Sequence, residues 1–200
     1  MHKHLFLEAD SGAGKSTLIR ELITPYVDDI GGFSSQRLLD DNNETIAFRI
    51  VSADDLRLAV PYEETPKTIF RTISKDHSSK SMPGVFGSAG IDLLDSCDEK
   101  KLILLDEIGG LELKDQSFKY RLYELLAGDV PCIGVIKQLD KARSMNVSAD
   151  AGEKPSSIAS LNQELRRKML EDLDCKILEF KRNDPAIIDE VKDFIDKIFT

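Results

Sequence analysis

The chain lacks the features that would commit it to a membrane, to the cell exterior or to a nucleic acid. Its 200 residues hold no apolar run near the roughly 20 needed to cross a bilayer. Near the start only Leu5, Phe6 and Leu7 stand together before Glu8, too few for the core of a secretory signal. Cysteine is scarce. Cys97, Cys132 and Cys175 are odd in number, far apart and set in or beside apolar stretches, so neither a disulfide framework nor a zinc site is expected. Positive charge is outnumbered, with 27 Lys and Arg against 36 Asp and Glu and a net charge of −9. Such a surface repels phosphate backbones unless a local basic pocket overrides the average. Nucleic acid and anionic membrane are therefore poor partners, and a cytoplasmic location is expected. Internal repeats and low-complexity tracts are also missing.

What is present is globular composition, 41% hydrophobic and 32% charged, in a length that suits one domain over residues 1–200. Strand-like and helix-like segments alternate, the pattern of an α/β domain. Leu5-Phe6-Leu7 is a short buried strand, and residues 15–23 carry Leu18, Ile19, Leu22 and Ile23 on one helical face. Pro25 disfavours helical geometry at Thr24 and weakens or ends that helix. Residues 31–60 read as a β-hairpin region, with arms at 33–39 and 44–51 and Asp40-Asp41-Asn42-Asn43 as the turn.

Residues 61–90 set Pro61, Pro66, Pro83, Gly84, Gly87 and Gly90 around one β-like piece at 68–73. Connections beyond about 12–15 residues tend to be lids, binding loops or disordered. The segment is read as an insertion, either a mobile functional one or a plain solvated connector. A helix near 91–97 follows. Leu102-Ile103-Leu104-Leu105 is apolar on both faces and belongs at the centre of a covered parallel sheet. Two further helices carry Phe118, Leu122, Leu125 and Leu126, and Ile158, Leu161, Leu165, Met169 and Leu173. Between them lie a strand at 132–136 and a small-residue loop at 144–157. A strand at 176–180 and a helix capped by Asp184, with Pro185 first, complete the pattern.

Straight after the first strand runs Ala9-Asp10-Ser11-Gly12-Ala13-Gly14-Lys15-Ser16-Thr17. This is a P-loop with alanine where the usual pattern has its first glycine. Gly12 and Gly14 let the backbone curl, so that the loop from Ser11 through Gly12, Ala13, Gly14, Lys15, Ser16 and Thr17 forms a nest of N–H groups for phosphate oxygens. The helix that follows adds its positive amino-terminal end. Lys15 can reach the β- and γ-phosphates, and the Ser16 hydroxyl can ligate Mg²⁺. Asp10 places a carboxylate in the loop and must point outward. The other half of such a site is an apolar strand that ends in acid, here Asp106-Glu107. Asp106 would hold the Mg²⁺, and Glu107 would polarise an attacking water. Catalysis is thus assigned to Glu107 and Lys15, and the metal to Ser16 and Asp106. Two adjacent acids favour hydrolysis over binding alone, because the metal needs only the first. No Asn-Lys-x-Asp motif selects guanine, since Lys137-Gln138-Leu139-Asp140 does not match it. The substrate is therefore read as ATP or another nucleoside triphosphate.

With these residues placed, the chain resembles the small P-loop nucleoside-triphosphatase family that includes the human cancer-related nucleoside triphosphatase and its thermophile relatives. His4-Leu5-Phe6-Leu7 leads into the P-loop as in that family. Gly32-Phe33-Ser34-Ser35 is similar to its Gly-Phe-x-Thr segment, and Ala47-Phe48-Arg49-Ile50 to the matching hairpin arm. Asp106-Glu107-Ile108-Gly109 with Leu111-Glu112-Leu113 resembles its Asp-Glu-Ile-Gly-Lys-Met-Glu-Leu signature, the most specific match. The resemblance implies an α/β, RecA-like core with a mainly parallel sheet flanked by helices. It also implies slow, Mg²⁺-dependent hydrolysis of ATP, GTP and other nucleoside triphosphates.

Departures touch the chemistry more than the fold. Gly110 stands where the family has a lysine, Arg37 where it tends to have an acid, and Leu39 where it has an arginine. On the resemblance Glu112 orients the site, whereas on position alone it is a surface carboxylate in a loop. Arg143, Arg166 and Arg167 are candidates for a charge-stabilising finger, in cis or from a neighbouring subunit. Ordinary amphipathic patterning instead puts Arg166, Arg167 and Lys168 on a solvated helix face. His2, His4 and His77 have no ligand-like spacing and are assigned no chemistry. Two other readings stand beside hydrolysis: a small-molecule kinase that uses 61–90 as an acceptor lid, and a nucleotide-dependent switch or adaptor.

Overall fold

In a computed structural model, residues 2–63, 67–76, 78–97, 99–144 and 157–200 are described. Among these described residues fifteen strands and α-helices follow one another, and nine of them are strands of a single sheet. The elements are β1 (His4–Glu8), α1 (Lys15–Ile23), β2 (Ile30–Leu39), β3 (Thr45–Ser52), β4 (Ala59–Pro61), β5 (Ile69–Ile73), β6 (Ser79–Ser81), α2 (Ile91–Asp95) and β7 (Leu102–Ile108). They continue with α3 (Gln116–Ala127), β8 (Cys132–Ile136), α4 (Leu139–Ser144), α5 (Ile158–Glu171), β9 (Cys175–Glu179) and α6 (Pro185–Phe199).

The sheet runs β6-β5-β3-β2-β7-β8-β1-β9, and β4 pairs with the second half of β2. From β2 to β9 every neighbour is parallel, while β3, β5 and β6 form an antiparallel extension. Hydropathy explains the layout. β7 is apolar on both faces and lies in the interior of the parallel run. Its Leu102 and Leu104 pack with Ile19, Ile23, Val191 and Phe194 of α1 and α6. Ile103 and Leu105 turn the other way, onto Phe118, Leu122, Leu165 and Met169 of α3 and α5. The sheet is thus covered by helices on both faces.

Two glycines set the spacing around β7. A Cβ on Gly32, which has φ +93°, would lie 2.2 Å from the Leu104 carbonyl oxygen, and one on Gly134 would lie 2.1 Å from that of Leu105. Neither position has room for a side chain, so β2 and β8 close tightly on the strand that carries Asp106 and Glu107.

The structure refines several sequence expectations. After Ile23 the chain does not simply break at Pro25 but winds on as a 3₁₀ helix, Thr24–Asp29. The β2–β3 hairpin is present, with Asp40 Oδ1 accepting N–H bonds from Asn42 and Glu44 in its turn. Within 61–90, β5 and β6 lengthen the sheet, and a turn at Pro83–Val85 and a π-helical turn at Phe86–Gly90 lead into α2. Tilted and edge-on rings run from Phe48 through Phe70, Phe86 and Phe118 to Phe33, with centroids 5.2–6.3 Å apart, and join this segment to the core. The loop expected at 144–157 lies largely outside the described residues, though α4 precedes it. Among the described residues no helix is long and apolar enough to cross a membrane.

Candidate active site

The phosphate loop is built by conformation rather than by space. Gly12 and Gly14 have φ of +79° and +102°, the left-handed region, yet a Cβ at either would meet nothing within 4 Å. Glycine is needed there for its backbone freedom alone. Gly14 is the N-cap of α1 and offers no side chain to cap it, which leaves N–H groups of the first turn open to an anion. Lys15 Nζ donates to the carbonyls of Ala9 and Asp10 at 2.9 and 2.8 Å. Burial pushes its ammonium below the ordinary lysine range, against the pull of Glu107, Asp106 and Asp10. The Asp10 carboxylate is exposed and lies 3.4 Å from Lys141 Nζ, pointing outward as expected.

The carboxyl end of β7 completes the site. Ser16 Oγ donates to Asp106 Oδ1 at 2.7 Å, while Arg20 Nη2 donates to Asp106 Oδ2 and to the Ser35 carbonyl, both at 2.8 Å. Asp106 is buried. Burial pushes its carboxyl up, and the Arg20 guanidinium and Ser16 hydroxyl pull against that rise. A hydroxyl and a carboxylate side by side, next to a phosphate nest, are the hard oxygen donors that suit Mg²⁺. No sequence motif assigns this role to Arg20. The one signal for it is its position one turn after Ser16 on the same face of α1.

Glu107 owes its direction to a bulge. Between Asp106 and Ile108 the pairing of β7 with β8 slips, so Glu107 is the extra residue, with φ +75°. A left-handed glutamate costs about 1–3 kcal/mol and persists only where its surroundings hold it. The bulge turns its carboxylate into the cleft, where it is 44% exposed and accepts a 2.7 Å bond from Lys137 Nζ. Although burial opposes it, Lys137, with Lys15 and Arg71, holds this carboxyl below the usual range.

The turn after Glu107 is fixed from beneath. Glu112 is 3% exposed, and its Oε1 accepts the N–H groups of Gly109 and Gly110 at 2.5 and 2.8 Å. The surface-carboxylate reading is corrected: this side chain is buried and holds the backbone of the turn. Asn162 of α5 donates to the carbonyls of Gly109 and Lys137 at 2.7 and 3.0 Å. Arg166 donates to Asn162 Oδ1, the Lys137 carbonyl and Glu8 at 2.9, 2.9 and 2.5 Å. It is therefore not on a solvated face but ties together the ends of β1 and β8. Arg143 and Arg167 pair with Asp140 and Glu171 at the surface, and none of the three candidate arginines lines the cleft. Lys137 fills the space above Gly110, where a Cβ would sit 3.0 Å from its Cε. A lysine from the end of β8 thus reaches the region for which the resemblance implied one at position 110.

These groups meet in a cleft of about 700 Å³. Ala9, Ser11 and Lys15 line it beside Glu107 and Lys137, and Phe48, Phe70, Arg71 and Phe86 line it from the antiparallel extension and the turn that follows. Two histidines lie away from it. His4 is buried, accepts the Cys132 N–H at 2.9 Å and is pushed down to about 4 by burial, and His2 pairs with Asp174. His77 lies outside the described residues.

Removal of Lys137 gives a signed prediction. A depressed Glu107 pKa keeps the carboxylate ionised as pH falls, so a reaction that uses it as base would keep its acid limb low. In Lys137→Met that limb is expected to move to higher pH, read as kcat against pH. An unmoved limb would remove Lys137 from this role.

A glycine-rich loop between a parallel strand and a helix, with paired acids ending a nearby strand, defines a P-loop NTPase. Sequence comparison bears on this class directly: the NTPase family model matches residues 4–173, and the chain belongs to that family. It is 25% identical over 174 residues to nucleoside-triphosphatase THEP1 of Thermotoga sp. strain RQ2, covering 86% of this chain and 94% of the relative. The crystal structure of THEP1 from the hyperthermophile Aquifex aeolicus superposes with a TM-score of 0.59 at 19% identity, over 96% of this chain and 98% of that one. The solution structure of a human cancer-related nucleoside triphosphatase gives 0.58 at 19% identity, over 95% and 97%. The shared fold is the α/β architecture expected from the sequence.

Proposed function

We propose that this cleft hydrolyses nucleoside triphosphates to the diphosphate and phosphate, slowly, with Mg²⁺ and with little regard for the base. One observation carries the reading: Glu107, turned by a bulge into the cleft beside Lys15, is kept ionised by Lys137 at 2.7 Å. The nest from Ser11 to Thr17 would hold the phosphates, and Lys15 would exchange its loop carbonyls for the β- and γ-oxygens. Ser16 and Asp106 would hold the Mg²⁺, which would supply charge neutralisation for the bound phosphates. Glu107 would take a proton from water as the water oxygen bonds to the γ-phosphorus and the bridging bond breaks. The name nucleoside-triphosphatase, carried by the THEP1 relatives, specifies no base and is in keeping with broad use. Three buried cysteines, none of them in a disulfide, suit a reducing, cytoplasmic setting.

The test is phosphate release from ATP, GTP, CTP and UTP, each with Mg²⁺ and with a chelator. Release from all four, abolished by chelation, is expected, and release from none would refute the reading. A second reading, transfer to an acceptor hydroxyl, is favoured by the phenylalanine wall of Phe48, Phe70 and Phe86, which water alone does not require. It predicts a phosphorylated product, detected by mass spectrometry, when a metabolite pool is added.

A further inference from the structure

Among the described residues, one guanidinium at this cleft has no carboxylate against it. Arg71 comes from β5 and lines the cleft with Ala9, Lys15 and Glu107. Its Nη2 makes only a long, 3.3 Å bond to Ser79 Oγ. Its Nε is buried without a partner, and its Cζ lies 6.0 Å from the centre of the Phe48 ring. Arg20 and Arg166, by contrast, rest on the carboxylates of Asp106 and Glu8. A guanidinium has five N–H donors, and leaving a buried one unsatisfied is costly unless a ligand completes it. The complement here is an anion with several oxygens, next to the group assigned to activate water. This chain also has Gly110 and Leu39 where its family resemblance would place a lysine and an arginine. Lys137 occupies the first of these regions but is engaged by Glu107, and Lys15 is held by two loop carbonyls, which leaves Arg71 as the guanidinium that lines the cleft.

We propose that Arg71 supplies, in cis, the guanidinium that stabilises negative charge on the oxygens of the transferring γ-phosphoryl group. The proposal rests on the hydrolysis reading of the same cleft. Arg71 transfers no atom: the water oxygen bonds to phosphorus, the bridging bond breaks toward the diphosphate, and Glu107 takes the proton. Its N–H donors gain most as charge spreads over the phosphoryl oxygens in the transition state, so its contribution falls on kcat rather than on ground-state affinity.

The experiment compares parent, Arg71→Ala, Arg71→Lys and Lys15→Ala for ADP affinity, phosphate release from ATP, and trapping of Mg²⁺-ADP by aluminium fluoride, a transition-state mimic. Arg71→Ala is expected to bind ADP within about twofold of the parent, to lose release about 10²–10³-fold and to stop trapping the mimic. Arg71→Lys keeps the charge without the fork and should recover part of both. Retained ADP binding shows that the Arg71 variants are folded, and Lys15→Ala sets the level for lost binding. The Arg71 role is overturned if Arg71→Ala traps the mimic as the parent does, or if it loses ADP affinity in proportion to rate. A parent that releases nothing yet traps the mimic refutes hydrolysis while the variants still read Arg71. A parent that does neither overturns both.

Discussion

Glu107→Gln is expected to bind nucleoside triphosphate at least as well as the parent and to lose phosphate release by about 10²–10⁴-fold. The substitution is nearly isosteric. The amide oxygen can still accept from Lys137, the bulge at Asp106–Ile108 is a backbone feature, and Glu112 still holds the turn that follows. What disappears is a carboxylate that can take a proton. A negative charge beside the phosphates also disappears, which favours ground-state binding. Affinity and rate should therefore separate, with calorimetric titration of the nucleotide unchanged or tighter and the phosphate assay near blank. A variant that turns over at the parental rate would remove Glu107 from the role of base.

Lys15→Ala should instead lose binding itself, by about 10–100-fold, and release with it. The side chain is buried, with its ammonium donating to two loop carbonyls, and it is surrounded by the charges of Asp106, Glu107 and Asp10. Without that cation a tetra-anionic substrate meets Asp106 and Glu107 with no cation seated in the loop itself, and Lys137 is already held by Glu107. Removing one charge-assisted hydrogen bond to phosphate costs about 1.5–3 kcal/mol. In a chain of net charge −9 no general positive field makes up the difference. Titration with a non-hydrolysable triphosphate checks it. Parental affinity in this variant would place the phosphates elsewhere.

Some of this site is legible in the sequence because it is local. Gly12 and Gly14 announce left-handed backbone, and an apolar strand that runs into Asp106-Glu107 announces the paired acids of the cleft; both are features of a few consecutive residues. The helix-covered parallel sheet is legible for the same reason, from β7 being apolar on both faces. The rest depends on distant segments meeting. The Glu107 bulge exists only in register with β8, and Lys137 reaches Glu107 from 30 residues away. Helical periodicity puts Arg166 in solvent because it reports only which face is apolar. It does not report that the ends of β1 and β8 arrive beside that helix. Arg71 is hidden in 61–90, where β6, Ser79-Lys80-Ser81, carries no apolar alternation and the prolines and glycines suggest a loop.

The central claim is that water, activated by Glu107, attacks the γ-phosphorus. Turnover of Mg²⁺-ATP in ¹⁸O-labelled water, with both products read by mass spectrometry, tests it most directly. One labelled oxygen in the released phosphate and none in the ADP is the predicted result. Label in the ADP, or consumption of ATP without labelled phosphate, would contradict it.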